Sequence, residues 1–163
     1  MGNGATEISY LLDWLINNKT LKIDKNRIFL FGHSSGGTLA QFAAALDVRI
    51  KGTLASGSVG PIRETIGSRG SGSGDGIVPG FLKWFDSHDL LALIAPRKFV
   101  GLSADKDHIF PYSGTYKVIN KAKGFYKKLN VLKNINSFKA IGNHQYYKNE
   151  TWIAWNKYID PEK

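Results

Sequence analysis

The sequence predicts an α/β fold, a mostly parallel sheet of about four strands flanked by helices. Three observations carry that expectation. Stretches near 27–32, 50–56, 97–103 and 135–141 read as strands, and the unbroken apolar run over 28–31 suits a strand covered on both faces. Segments of helical periodicity lie before and between them. At the join of the first strand and the next helix, Arg27-Ile-Phe-Leu-Phe-Gly-His-Ser-Ser-Gly-Gly37 sets a serine between glycines.

Taken in order, residues 5–18 form the first helix, with Ile8, Leu11, Leu12 and Leu15 at the i, i+3, i+4, i+7 spacing of a buried stripe. The strand over 27–32 follows, then a helix from Thr38 to Leu46 with Leu39, Phe42, Ala43 and Leu46 as its apolar positions. After the strand near 50–56 comes a glycine- and serine-rich stretch over 67–76, too flexible to hold one conformation unaided. It is a candidate mobile cover, with Phe81, Trp84 and Phe85 lining an acyl or sugar pocket; the competing reading is a surface loop whose aromatics anchor the helix behind it. Asp86 or Ser87 caps that helix, Leu90, Leu91 and Ile94 face inward, and Pro96 ends it. Between the strands near 97–103 and 135–141 lies a helix over 114–129 with an expected stripe of Val118, Ala122, Phe125 and Leu129.

The chemistry concentrates at Ser34. Gly32 and Gly36 flank it where a sharp strand-to-helix turn leaves no room for side chains. Such a turn lifts the hydroxyl above the sheet and aims it at the positive end of the helix. The backbone N–H of Ser35 is the expected oxyanion donor. A nucleophilic serine needs a base, and the base needs an orienting carboxylate. The loop after the strand near 97–103 offers Asp105, Asp107 and His108, and the loop after 135–141 offers His144. Ser34 is therefore the expected nucleophile, His144 the general base and then acid, and Asp107 the orienting carboxylate with Asp105 as its rival. His33 is a candidate for the substrate pocket with Phe81 and Trp84, although neighbours in a tight turn point apart and packing is the simpler reading for it. Ser56 and Ser58 are read as structural, His88 as solvent-facing or bonded locally. Asp107, His108 and His144 match no common metal-ligand spacing, so no metal or other cofactor is expected.

Four segments occur together in one order: Gly-His-Ser-Ser-Gly-Gly at 32–37, Val78-Pro-Gly-Phe-Leu-Lys-Trp-Phe-Asp86, Leu93-Ile-Ala-Pro-Arg97 and Asp107-His-Ile-Phe-Pro111. They resemble the C-terminal half of the α/β-hydrolase family that includes acetyl xylan esterase-like and dienelactone hydrolase-like proteins, over nearly the whole chain. The resemblance implies a triad of Ser34, Asp107 and His144. It also implies small acyl esters, acetyl groups on carbohydrate among them, as substrates. His108 stands where the family commonly has proline, Lys98 follows Ala-Pro-Arg in place of proline, and Asn143 replaces a glycine. With no cysteine in the chain, the cysteine chemistry of dienelactone hydrolases is not available. The resemblance further implies one domain over 1–163, a truncated α/β-hydrolase lacking the usual N-terminal strands. The strand over 27–32 then becomes an exposed edge that pairs with a second copy or a partner. One half of the oxyanion hole would be missing with those strands, and losing one such donor elsewhere costs about 10²–10³ in rate.

Composition agrees with a packed globular domain: 42% hydrophobic residues and 12% aromatics exclude a disordered chain. No apolar run approaches a membrane span, residues 1–15 lack the pattern of a signal peptide, and a cytoplasmic location is the default expectation. The net charge of +9 is read as a solvated face, because Lys117, Lys121, Lys123, Lys127 and Lys128 share one helix with a buried stripe. No recognition motif or stacking platform for nucleic acid accompanies them. The function expected is thus a serine hydrolase of small carboxylic esters. The alternative is a catalytically weak or inactive α/β-hydrolase remnant acting as an oligomerising or binding domain.

Overall fold

A computed structural model describes residues 2–64 and 78–161. The stretch over 67–76, read above as a candidate cover, lies outside the described residues. The chain runs α1 (Gly2–Asn17), β1 (Phe29–His33), α2 (Ser35–Leu46), β2 (Gly52–Ser56), α3 (Ser87–Ile94), β3 (Lys98–Ala104), α4 (Tyr112–Lys128), β4 (Ile135–Ala140) and α5 (Lys148–Ala154), closing in a π-turn over Trp155–Ile159. Short 3₁₀ turns at Phe81–Lys83 and Leu132–Asn134 precede α3 and β4.

All four strands are parallel, in the order β1-β2-β3-β4. Each crossover includes a helix, as parallel neighbours require. Phe31 pairs with Leu54, Leu54 with Val100, and Val100 with Asn136, so the C-terminal ends of the strands share one edge of the sheet. Both faces are covered. On one, α1, α2, α3 and α4 pack a core around Phe42, Ile50, Leu91, Ile94, Phe99, Ile119 and Tyr126. On the other, Leu54, Val100, Leu102 and Ala104 meet Tyr147, Ala154 and Ile159 from the C-terminal segment. Double coverage is why β2 is buried at all five positions. β1 is an outer strand, and Phe31 on it is 41% exposed.

The helices sit where periodicity puts them but rotated in detail. On α1, Ala5 and Leu12 are buried and Ile8 and Leu15 half-buried, whereas Leu11 is 53% exposed. Ala5 extends the buried stripe of Ile8, Leu12 and Leu15 by one turn towards the helix start, and Leu11 lies off that face. On α4 the buried stripe is Thr115, Val118, Ile119, Ala122 and Tyr126, and Phe125 and Leu129 turn to solvent. Tyr126 decides that rotation: its ring fills the core and its hydroxyl donates to the Arg97 carbonyl at 3.2 Å. Lys117, Lys121, Lys127 and Lys128 are exposed on the opposite side. On α2, Ala40, Phe42, Ala43 and Ala44 are buried and Leu46 is exposed.

Two polar devices hold the frame. Asp86 caps α3, accepting from the Ser87 N–H while Asp89 accepts from the Asp86 N–H at 2.9 Å, a reciprocal capping box. Arg97, at the start of β3, reaches back to the end of α2. One of its terminal nitrogens donates to the carbonyls of Ala44, Asp47 and Ile50 at 2.6, 3.0 and 3.0 Å. The Asp47 carbonyl also accepts from the Ile50 N–H at 3.3 Å, so Arg97 ties together the carbonyls of a helix end and its following turn.

Candidate active site

The site lies at the C-terminal edge of the sheet, where three successive connections converge. Ser34 sits between β1 and α2 with φ 52° and ψ −123°, a left-handed backbone state in which a side chain is strained. The turn is pinned on both sides. The Ser34 N–H donates to the Ser56 carbonyl at 2.8 Å, and the Thr38 N–H donates to the Ser34 carbonyl at 3.0 Å. Gly32 makes the turn feasible: a Cβ there would fall 2.1 Å from the Gly36 carbonyl oxygen. The second crowded glycine is Gly37, whose Cβ would meet the Ser58 Oγ at 2.3 Å. Gly36, expected from the sequence to be the crowded one, faces open space. It is the next residue, Gly37, that is set against Ser58 in the connection after β2. Ser35 opens α2, so its N–H lies at the positive end of the helix.

Asp107 lies in the connection after β3 and is 3% exposed. Its Oδ1 accepts from the N–H groups of Ile109 and Phe110, both at 2.8 Å, which fixes the carboxylate. Its Oδ2 lies 2.8 Å from His144 Nδ1, and His144 Nε2 lies 3.0 Å from Ser34 Oγ. A proton on Nδ1 donated to Asp107 leaves Nε2 as the acceptor facing the serine hydroxyl. Although Ser34 precedes α2, its side chain makes no cap bond to the helix, so the hydroxyl is directed to the imidazole instead.

Asp105 has a different partner. Its Oδ1 accepts from the Gly142 N–H at 2.9 Å, and the Lys106 N–H donates to the Gly142 carbonyl at 2.9 Å. Gly142 at φ 134° is the pivot of the histidine loop, where a Cβ would lie 2.4 Å from the Tyr147 hydroxyl. That hydroxyl donates to the Asn143 carbonyl at 2.7 Å. The Gly142 N–H holds the Asp105 carboxyl below its ordinary range.

His33, read as a pocket or packing residue, lies against His144 with ring centroids 5.2 Å apart and planes inclined by 31°. Its Nδ1 is 3.1 Å from Ser56 Oγ. Burial, then the neighbouring His144, lower its basicity below the usual histidine value, with Asp107 opposing. Ser58 has a structural partner as well, accepting from Gln41 Nε2 at 3.4 Å. His88 Nε2 lies 3.6 Å from Asp89 Oδ2, away from these groups.

Phe81 and Trp84 are not brought to Ser34. The Phe81 ring packs against Phe42 and Phe85, with centroids at 5.9 and 5.5 Å. Phe42 lies about two turns along α2, or roughly 10 Å from its start. Trp84 is 82% exposed and lines a polar surface cleft with Arg63, Glu64, Lys83 and Lys121. The 3₁₀ turn at Phe81–Lys83 leads into α3, whose cap Asp86 accepts from the Ile62 N–H at 2.7 Å, and from there Phe81 meets Phe42 on α2 while Trp84 turns to solvent. Other rings surround His144 instead. Phe110 and His108 lie at 6.3 Å from it, and Tyr146 at 6.0 Å from His33 and 5.6 Å from Phe31. In the sequence, Phe110 is visible only as part of the motif after Asp107, and Tyr146 only as the second residue after His144.

No protein-family model matches the sequence, and no curated protein matches it. Solved structures do match. A glucuronoyl esterase from Solibacter usitatus is similar with a TM-score of 0.77 and 22% identity, covering 94% of this chain and 46% of its own. A carbohydrate esterase family 15 glucuronoyl esterase from Caldicellulosiruptor kristjansonii gives 0.77 and 22%, over 93% of this chain and 48% of that one. A methylesterase gives 0.70 and 19%, over 96% of this chain and 35% of that one. The chain thus spans about half the length of the two glucuronoyl esterases. Parallel strands in sequential order, helices on both faces and these structural likenesses together establish that the chain has an α/β-hydrolase fold.

Proposed function

We propose that the protein is a serine hydrolase of carboxylic esters in which Ser34, His144 and Asp107 act as a catalytic triad. The observation that carries this reading is the unbroken line of hydrogen bonds from Ser34 Oγ through both nitrogens of His144 to a buried carboxylate. It begins on a residue held at φ 52°.

In the first half-reaction Ser34 Oγ attacks the ester carbonyl carbon as His144 Nε2 takes the hydroxyl proton. The carbonyl oxygen becomes an oxyanion facing the Ser35 N–H and the positive end of α2. The tetrahedral intermediate collapses by breaking the bond to the alcohol oxygen, and His144 returns its proton to that leaving group. A water then gives a proton to His144 and attacks the acyl carbon, and the second collapse releases the acid and restores the Ser34 hydroxyl. Asp107 fixes the imidazole ring and stabilises the imidazolium formed in both halves.

The name glucuronoyl esterase, borne by two of the similar structures, favours an ester whose acid is a sugar carboxylate, and the name methylesterase favours a methyl ester. We therefore place a methyl ester of glucuronic acid beside acetylated xylo-oligosaccharides as the first substrates to compare. Fold alone does not choose between them. The direct test is the intact mass after incubation with a fluorophosphonate, with peptide mapping of the adduct. One stoichiometric adduct on Ser34, absent from Ser34→Ala, is the expected result. No adduct on folded protein would overturn the reading in favour of a non-catalytic binding domain.

A further inference from the structure

The proposed triad does not use His33, yet His33 is built into the same place. Along β1, Phe29, Phe31 and His33 alternate to one face. Each meets an aromatic ring from the C-terminal segment: Phe29 meets Trp155 at 5.7 Å, Phe31 meets Tyr146 at 5.6 Å, and His33 meets both Tyr146 and His144. This row of rings docks the segment that carries His144 onto the strand that leads into Ser34. His33 is its last member and touches the imidazole itself.

The contact is backed on its other side by Gly57 at φ 56°. A Cβ there would stand 2.9 Å from His33 Cε1 and 3.2 Å from His144 Cε1, so the two rings rest on one patch of bare backbone. Ser56, fully buried, fixes the His33 ring through Nδ1. The groups facing the pair are Ser34, Ser56 from β2, Asp107, His108 and Phe110 from the connection after β3, and Tyr146 from the connection after β4. Of these, Asp107 bonds to His144 and not to His33.

We propose that His33 is a positioning residue for His144, its ring setting the plane in which Nδ1 meets Asp107 and Nε2 meets Ser34 and shielding one face of that imidazole from water. This rests on the reading of His144 as the base. Ser34 Oγ lies 3.0 Å from His144 Nε2, so the proton leaving Ser34 goes to His144, the ring that Asp107 holds, while burial keeps His33 less basic than an ordinary histidine. A side chain that only filled space would not need a flat face at this position.

The test joins a spectroscopic readout to turnover, using the whole chain with His33→Ala and His33→Phe. The first readout is the far-downfield proton resonance of the His144 Nδ1–H bonded to Asp107, which needs no substrate. His33→Ala is expected to broaden it and speed its exchange with water, whereas His33→Phe, which restores a flat ring, keeps it sharp. With p-nitrophenyl acetate, His33→Ala should lower kcat about tenfold at unchanged KM, and His33→Phe should recover most of that loss. Should His33→Ala not fold, His33→Leu takes its place, filling the volume without a flat face. An unchanged resonance and kcat in the Ala or Leu variant would overturn the proposal. So would a folded His33→Phe protein as impaired as they are. A wild-type protein that shows the resonance but cleaves no ester would instead sink the esterase reading and leave the positioning role to the spectrum.

Discussion

Asp105 and Gly142 join the two connections that carry Asp107 and His144: the Gly142 N–H donates to Asp105 Oδ1 at 2.9 Å. Asp105 is exposed and makes no bond to the imidazole, yet it sets where the histidine loop leaves β4. Replacing it with alanine removes the acceptor and loosens the loop without touching Ser34, Asp107 or His144. Fluorophosphonate labelling of Ser34 should slow by about threefold to tenfold in Asp105→Ala, in keeping with a small misplacement of the base. Asp105→Asn retains an oxygen acceptor and should label near the wild-type rate. Equal rates in all three proteins would show that the Tyr147–Asn143 bond and the ring contacts suffice to hold the loop.

Removing members of the proposed triad separates their roles. Ser34→Ala should abolish labelling and lower kcat/KM for an activated ester by about 10⁴ or more. Asp107→Asn should keep the fold and lower kcat by up to about 10⁴, because an amide that donates toward His144 favours the wrong tautomer. Steady-state rates with each variant decide it. Hydrolysis unchanged in Ser34→Ala would place the nucleophile elsewhere.

The serine turn makes a contrast between two glycines four residues apart. Gly32→Ala drives a Cβ into the Gly36 carbonyl, a backbone atom that cannot move aside cheaply. It should cost about 3 kcal/mol or prevent folding. Gly36→Ala meets open space in a helical position and should change stability by less than about 1 kcal/mol, with a gain in helix propensity as one contribution. Urea unfolding midpoints of the two variants measure the difference. Equal costs would mean that the turn is relieved by a shift of α2.

Acid stability has an identifiable contributor away from the site. Asp47 follows α2 and accepts from Arg49 and from Ser9 of α1, with contacts of 2.6 to 3.2 Å. The Arg49 guanidinium is the main cause holding its carboxyl at about 2, against an ordinary 3.8. A depressed carboxylate stabilises the fold above its unfolded value, and that contribution is lost as pH falls from 3.8 through about 2. Asp47→Asn should therefore cost about 1–2 kcal/mol at neutral pH, and the gap to wild type should close across that acid window. Urea titrations at a series of pH values test this. A constant gap down to the lowest pH would make the effect one of shape, not charge.

Much of this molecule is legible in the residue order. The four strands, the helices between them and the loops bearing Asp107 and His144 follow from short-range patterns, because apolar runs, helical spacing and glycine positions act over a few residues. The Asp86 cap is readable for the same reason. Helix rotation is less so. Phe125 and Tyr126 are adjacent aromatics, and sequence periodicity favoured the first, whereas the core took the second because its hydroxyl reaches the Arg97 carbonyl across the domain. Composition and loop position leave Phe81 and Trp84 open between lining a pocket and anchoring the helix behind them. Only the tertiary contacts of Phe81 with Phe42 and Phe85, and the exposure of Trp84, separate the two.

By itself, then, the sequence determined an α/β protein with a serine on a strand-to-helix turn and an acid and a histidine in later loops. The residue types and their order along the chain were enough for that. Which carboxylate meets His144, and which ring stands behind it, only the tertiary structure decided. Asp105 and Asp107 lie two residues apart on one loop, and the hydrogen bonds of the Ile109 and Phe110 N–H groups turn Asp107 inward while Gly142 takes Asp105. His33 reaches His144 across 111 residues of chain, because parallel strands in register bring their C-terminal ends to one edge. No local pattern encodes that meeting, since it depends on how the whole sheet is ordered.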